Sequence, residues 1–187
     1  MISRACSLIL VCLAAPTWAA QSYTVDPKTS KVAFTGHSTF HDFQGTAKVT
    51  KGTITLDGER SSGAVVVDAT TMDTEKKGRD QDMHAKMETA KHPSILFTLT
   101  KVSGPADAPV AHGTWSMHGV DKQLEIPFRI SGDASPRLSA TFKVNFNDFR
   151  VIVPRNFGMK VDPSVDVSVE LALTPVASTA PAAPEPS

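Results

Sequence analysis

RLSATFKVNFN, residues 137–147, alternates without a break: Leu138, Ala140, Phe142, Val144 and Phe146 are apolar, while Ser139, Thr141, Lys143, Asn145 and Asn147 are polar. Successive side chains leave a β-strand on opposite sides, so a period of two marks a strand with one buried face. The same pattern recurs along the chain. Segment 164–173 sets Val165, Val167, Val169, Leu171 and Leu173 against Asp166, Ser168 and Glu170. Segment 123–131 sets Leu124, Ile126, Phe128 and Ile130 against Gln123, Glu125 and Arg129. Shorter alternations at Val32 and Phe34, at Ile54 and Leu56, and at Ile95, Phe97 and Leu99, with weaker ones over 43–50, 63–69 and 110–117, bring the expected total to eight or nine strands.

One stretch departs from this. EKKGRDQDMHAKMETA (75–90) is highly charged and spaces Met83, Met87 and Ala90 for one face of a helix. Gly78 weakens its start and His92-Pro93 ends it. The chain therefore reads as four strands, a helix, then four or five strands. One-faced strands must bury their apolar side, either in a two-sheet sandwich or in a closed barrel. A barrel also removes exposed sheet edges, and eight strands enclose room for packed side chains or for one small ligand. Alternation alone leaves both architectures open.

The ends and the composition narrow the function. Residues 1–19 carry Arg4, an apolar run from Leu8 to Ala15 and small residues at Thr17 and Ala19, the pattern of a cleaved export signal. Export to the periplasm is expected. Both cysteines, Cys6 and Cys12, fall inside that segment, so a domain cleaved there has no disulfide, thiolate nucleophile or cysteine metal ligand. The whole chain carries 19 Lys+Arg and 19 Asp+Glu, and losing Arg4 leaves 18 against 19, a net charge of −1. That balance argues against a nucleic-acid binder. One domain is expected over 21–174, followed by a Pro/Ala-rich disordered tail over 175–187.

No catalytic constellation emerges. The serines are scattered, Gly-x-Ser-x-Gly is absent, and Asp80 and Asp82 belong to the charged helix. Six histidines (37, 41, 84, 92, 112 and 118) show no metal-ligand spacing. His37 and His41 would lie ~13 Å apart along one strand, too far to share a metal. They read as polar-face histidines on a solvated exterior. No enzyme, metal or cofactor is expected. The informative feature is the apolar face, which carries Phe34, Phe97, Trp115, Met117, Phe128, Phe142 and Phe146, with Met83 and Met87 offered by the helix. Such side chains suit a filled core and an adaptable lipid tunnel equally.

The chain carries, in order, Tyr23-x-x-Asp26 with Ser30-x-Val32-x-Phe34, Thr74 with Arg79-Asp80-x-x-Met83, Pro93-x-Ile95-x-Phe97, Gly113 with Trp115, and His118-Gly119-Val120 with the Lys122 to Pro127 run. In that order and spacing these motifs resemble the YceI-like proteins, bacterial and mostly exported polyisoprenoid-binding proteins. The resemblance spans Tyr23 to Leu173 and implies an all-β, extended eight-stranded antiparallel, lipocalin-like barrel with one helical segment, about 75–90, packed on it. It implies a ligand in that barrel, an isoprenoid quinone, polyprenyl chain or fatty-acid derivative, held for transport, storage or stress protection. The nine aromatic and Met residues become its wall, with Met83 and Met87 near the entrance. Arg79 and Asp80 would fix the helix to the barrel. A monomer or homodimer with at most a peripheral encounter with the membrane is expected. The alternative is a stress-related accessory protein with a filled barrel, acting through its surface without lipid. Two departures stand out: Thr29 occupies a position that is His in many members, and 148–158 diverges from their Arg-x-x-Phe-Gly motif.

Overall fold

The computed structural model describes residues 20–133, 135–153, 155–156 and 159–176. The expected export signal and most of the expected tail lie outside the described residues, as do Phe157 and Gly158. In chain order the elements are β1 (Gln21–Ser38), β2 (Phe43–Leu56), a 3₁₀ turn η1 (Gly58–Arg60), β3 (Ser62–Asp73), α1 (Lys77–Lys86), β4 (Ser94–Ser103), β5 (Val110–Met117), β6 (Val120–Ser131), β7 (Arg137–Asn145), a 3₁₀ turn η2 (Phe146–Phe149), β8 (Arg155–Asn156) and β9 (Met159–Val176). Each strand from β1 to β7 pairs antiparallel with the next, β7 pairs with β9, and β9 pairs back onto β1. Eight strands thus close a barrel, and β8 is a two-residue arm paired only with β9. The barrel, rather than the sandwich, is the outcome.

Alternation translates directly into inside and outside. Val165, Val167, Leu171 and Leu173 of β9 are buried, as are Ala140 and Val144 of β7, while Lys143 is exposed and Asp166 half-buried. β9 continues past the expected domain end: Pro175 pairs with Tyr23 and Val176 with Ser22, so the ordered chain includes two residues assigned to the tail. Near the other end of the β1–β9 seam, Ser38 pairs with Val161. A bulge interrupts β1 between Asp26 and Lys31. There the Asp26 carboxylate accepts the Lys28 amide (2.9 Å) and the Thr29 hydroxyl (2.8 Å), and these bonds, the hydroxyl first, hold it below the usual carboxylate range. Thr29, the departure from the family pattern, is thus used locally as an Asp26 partner.

Two expected boundaries move. The helix is shorter than 75–90. Glu88 adopts φ 45°, the Glu88 amide reaches the Ala85 carbonyl (3.3 Å), and the Thr89 amide reaches the His84 carbonyl (3.1 Å). This is a Schellman stop with Glu where Gly is usual. It turns Thr89, not the expected Ala90, into the interior. β7 likewise ends at Asn145, whose side chain accepts the Asn147 amide (3.0 Å) and caps η2. Phe146 therefore sits on a turn rather than on the strand, and Asn145 is a cap rather than a water-facing residue.

On the inner face of the first hairpin, aromatic rings lie against glycines of the paired strand. Phe34 is opposite Gly45, and Phe43 is opposite Gly36. A Cβ added at Gly36 would come within 2.2 Å of the Phe43 ring, and one at Gly45 within 2.2 Å of the Phe34 ring. Gly36→Ala is expected to cost about 1–3 kcal/mol by overpacking, read as a lower urea midpoint. Combining it with Phe43→Leu should recover part of the loss; strict additivity of the two would show that the ring is not the obstacle.

Candidate functional site

The barrel interior holds two chambers. The upper one, about 410 Å³, opens at the α1 end, and the lower, about 90 Å³, lies further down the lumen. Val32, Val67, Ile95 and Trp115 line both and form the waist between them. Every wall residue expected from sequence lies here. Phe34, Met83, Met87, Met117 and Phe146 line the upper chamber, Phe97, Phe128 and Phe142 the lower, and Trp115 both. The indole makes an edge-on contact with Phe142 (ring centroids 5.4 Å apart) and a tilted one with Phe97 (6.4 Å). Trp115 Nε1 is buried and has no hydrogen-bond partner among the described residues, which is uncommon for a buried donor.

The rim escaped the sequence reading. Arg79, Asp82 and Lys86 from α1, Ser38 at the end of β1, His41 after it, and Asp162 near the start of β9 surround the upper chamber's opening. Helical spacing gave the signal for the first three: Arg79 and Lys86 lie four before and three after Met83, and Asp82 lies three from Arg79 and four from Lys86. Thr74, only 3% exposed, anchors this helix. Its hydroxyl donates to Asp80 Oδ1 (2.5 Å) and its amide to the same oxygen (2.9 Å). Arg79 donates from Nε to the Thr74 hydroxyl (2.8 Å) and from Nη2 to its carbonyl (2.9 Å). Arg79 and Asp80 thus act through Thr74. The Thr74 hydroxyl is the main cause of the lowered Asp80 pKa. The Arg79 guanidinium also sits 4.5 Å from the Phe43 ring centroid, tying α1 to β2.

The histidines are not simply solvated. His41 lies beyond the end of β1, in a strap where the Ser38 hydroxyl donates to the His41 carbonyl (2.6 Å). His118, in the β5–β6 turn, pairs Nδ1 with the Phe149 carbonyl (2.8 Å), so that nitrogen carries the proton. His112 meets Ser103 Oγ (2.6 Å) and Glu125 (3.4 Å) on the outer wall, away from both chambers. His37 is outside too. Its Nδ1 faces Asp42 (2.9 Å) and its Nε2 faces Asp166 (2.8 Å), and Asp166 also binds Lys143 (2.6 Å). Two carboxylates on the two ring nitrogens favour imidazolium, and the His37 pKa is raised, first by Asp166 and then by Asp42. Lys143, then His37, lowers that of Asp166.

A closed antiparallel barrel with an apolar two-chambered lumen and a charged helical rim defines the class of protein. The chain belongs to the YceI-like domain family, whose model matches residues 23–173. A search of curated proteins found no significant match. Among solved structures, BcnA from Burkholderia cenocepacia is similar, with a TM-score of 0.72 at 16% identity over 80% of this chain and 99% of that one. A polyisoprenoid binding domain from Saccharophagus degradans, implicated in plant cell wall breakdown, gives 0.58 at 14% identity over 81% and 97%. A YceI protein of Campylobacter jejuni gives 0.51 at 17% identity over 76% and 85%.

The His37 bridge carries a pH dependence whose sign is fixed. A raised His pKa gives stability that is complete below the ordinary His value and lost as pH rises through the raised one. A lowered Asp166 pKa gives stability present above the ordinary carboxylate value and lost as pH falls through the lowered one. Both contributions coincide between the carboxylate and histidine ranges, about pH 4 to 6. Tm of the parent should therefore fall more between about pH 6 and 8.5 than Tm of His37→Gln; parallel profiles would remove His37 from the balance.

Proposed function

We propose that the chain is an exported carrier holding one long-chain apolar lipid, isoprenoid or fatty, in its barrel with the polar head at the rim. The observation that carries this reading is the upper chamber: about 410 Å³ of apolar-walled space opening on a ring of charged side chains. That size falls within the range of small-molecule pockets. Each methylene moved from water into such a wall gains about 0.8 kcal/mol, so a long chain binds without directional contacts beyond its head. Arg79 and Lys86 offer donors to a head group, with Asp82 and Asp162 beside them. The polyisoprenoid binding domain of Saccharophagus degradans supports the same ligand class by likeness of fold. Met83 and Met87, unbranched and polarizable, suit a wall that must fit varied chains. In this reading the nine aromatic and Met residues are the binding wall, residues 1–19 direct the chain to the periplasm, and the ordered domain reaches Val176.

Native mass spectrometry on detergent-free protein, followed by organic extraction, tests this directly. A discrete adduct of several hundred daltons, lost on extraction, is expected. Bare mass that persists after incubation with quinones and polyprenols would instead favour a filled barrel acting through its surface.

The waist gives a sharper form of the test. Val67 is buried and lines both chambers. Val67→Phe should block passage to the lower chamber, cutting retention of long-chain lipids at least tenfold while sparing short ones. Equal loss for all lengths would place the whole ligand above the waist.

A further inference from the structure

Among the described residues, three large hydrophobic side chains stand exposed: Phe40, Ile152 and Val176. Two of them belong to the rim. Phe40 (72% exposed) is at the tip of the strap between β1 and β2, and Ile152 (75% exposed) follows η2 and itself lines the chamber's opening. The sheet order puts β9 between β1 and β7, so these two segments flank the rim end of β9. The helix α1 follows β3 and precedes β4, and its Arg79 reaches Phe43 at the start of β2. The apolar tips of Phe40 and Ile152 thus stand beside an opening whose charges come from α1 and from Asp162 of β9.

Neither exposure is incidental. The strap is pinned at both ends by the Ser38–His41 bond and the His37–Asp42 ion pair, which turn Ser38 and His41 toward the chamber and leave Phe40 outward. After η2, Arg150 takes a left-handed conformation (φ 59°) and the Val151 amide returns to the Phe146 carbonyl (3.0 Å). Val151 is thereby buried and Ile152 turned out. Around the opening, the cations Arg79 and Lys86 are matched by the anions Asp82 and Asp162. This balance complements a zwitterionic head-group layer better than a strongly anionic one.

We propose that this rim docks on a phospholipid bilayer, with Phe40 and Ile152 seated at the head-group boundary so that cargo passes between membrane and lumen without crossing water. The proposal deepens the carrier reading, because an apolar chain released into water forfeits the transfer energy that holds it in either phase. Side chains that penetrate only the interface give weak, reversible attachment, as a shuttle requires.

The test uses the full chain and phosphatidylcholine vesicles. Unloaded parent protein and Val176→Asp, altered at the other end of the β1–β9 seam, should sediment with vesicles alike, and Phe40→Asp at least fivefold less. Transfer of anthroyloxy-labelled stearic acid from parent protein to vesicles should accelerate in proportion to vesicle concentration. In Phe40→Asp it should be slow and insensitive to that concentration, with retention of the label within twofold of the parent. Sedimentation unaffected by Phe40→Asp, or parent transfer independent of vesicle concentration, would overturn docking. Vesicle binding through Phe40 by a chain that retains no label would uphold docking and sink the carrier reading instead.

Discussion

The pairing of β1 with β9 is the constraint on which the rest depends. It joins the first and last long strands, from Ser22 with Val176 to Ser38 with Val161, and converts a meander into a ring. Because side chains alternate with a period of two, a one-residue slip along this seam would set Phe34 opposite Asp166 or Ser168 in place of Val167, so one strand's apolar set would face outward. Closure leaves neither β1 nor β9 with a free long edge, and it sets a circumference that eight strands fill without collapsing onto a solid core. The seam also delivers Asp166 to the outer wall beside His37, so the His37–Asp166 ion pair exists only because the barrel is closed.

How much of this was legible in the sequence depends on the range over which each feature is decided. Periodicity is a local property: alternation identified the strands and seven of the inward residues, helical spacing supplied Met83 and Met87, and all nine lie around the two chambers. Family resemblance, not alternation, favoured the barrel over the sandwich. Element ends were read less well because they are set by caps. Asn145 looks like one more polar strand residue until its side chain is seen to take the Asn147 amide. Glu88 gives no warning that it will stop a helix, since Gly is the usual signal there. The rim was missed for a different reason. Ser38, His41, Arg79 and Asp162 come from three distant stretches and converge only through the ring.

The histidines show the same division between local chemistry and long-range placement. Spacing along the chain showed no metal-ligand pattern among them, but it said nothing of what would approach from elsewhere: the His92 and His118 rings meet edge to face with centroids 5.3 Å apart. Asp166, 129 positions away, reaches His37, and the Phe149 carbonyl reaches His118 across 31. Each such contact joins elements at the α1 end of the barrel, where it adds to the packing of buried Met87, Phe149 and Val151. Of these contacts, the His37–Asp166 bridge gives that end its sensitivity to pH.

An aromatic-rich inner face would ordinarily fill a barrel of this width, and the glycines explain why space remains. Phe34 lies over Gly45, Phe43 over Gly36, and the Phe97 ring approaches Gly113, where an added Cβ would come within 2.7 Å of it. With no Cβ beneath them, these rings can lie along the wall instead of projecting across the lumen. A ring laid against a strand thickens the wall with apolar surface, whereas a ring standing upright would bridge the chamber. Phe34 and Phe97 thereby become lining of the upper and lower chambers, respectively. These rings pack outward against glycine backbone, whereas Trp115 and Phe142, on strands that are not neighbours, pack edge to face on each other.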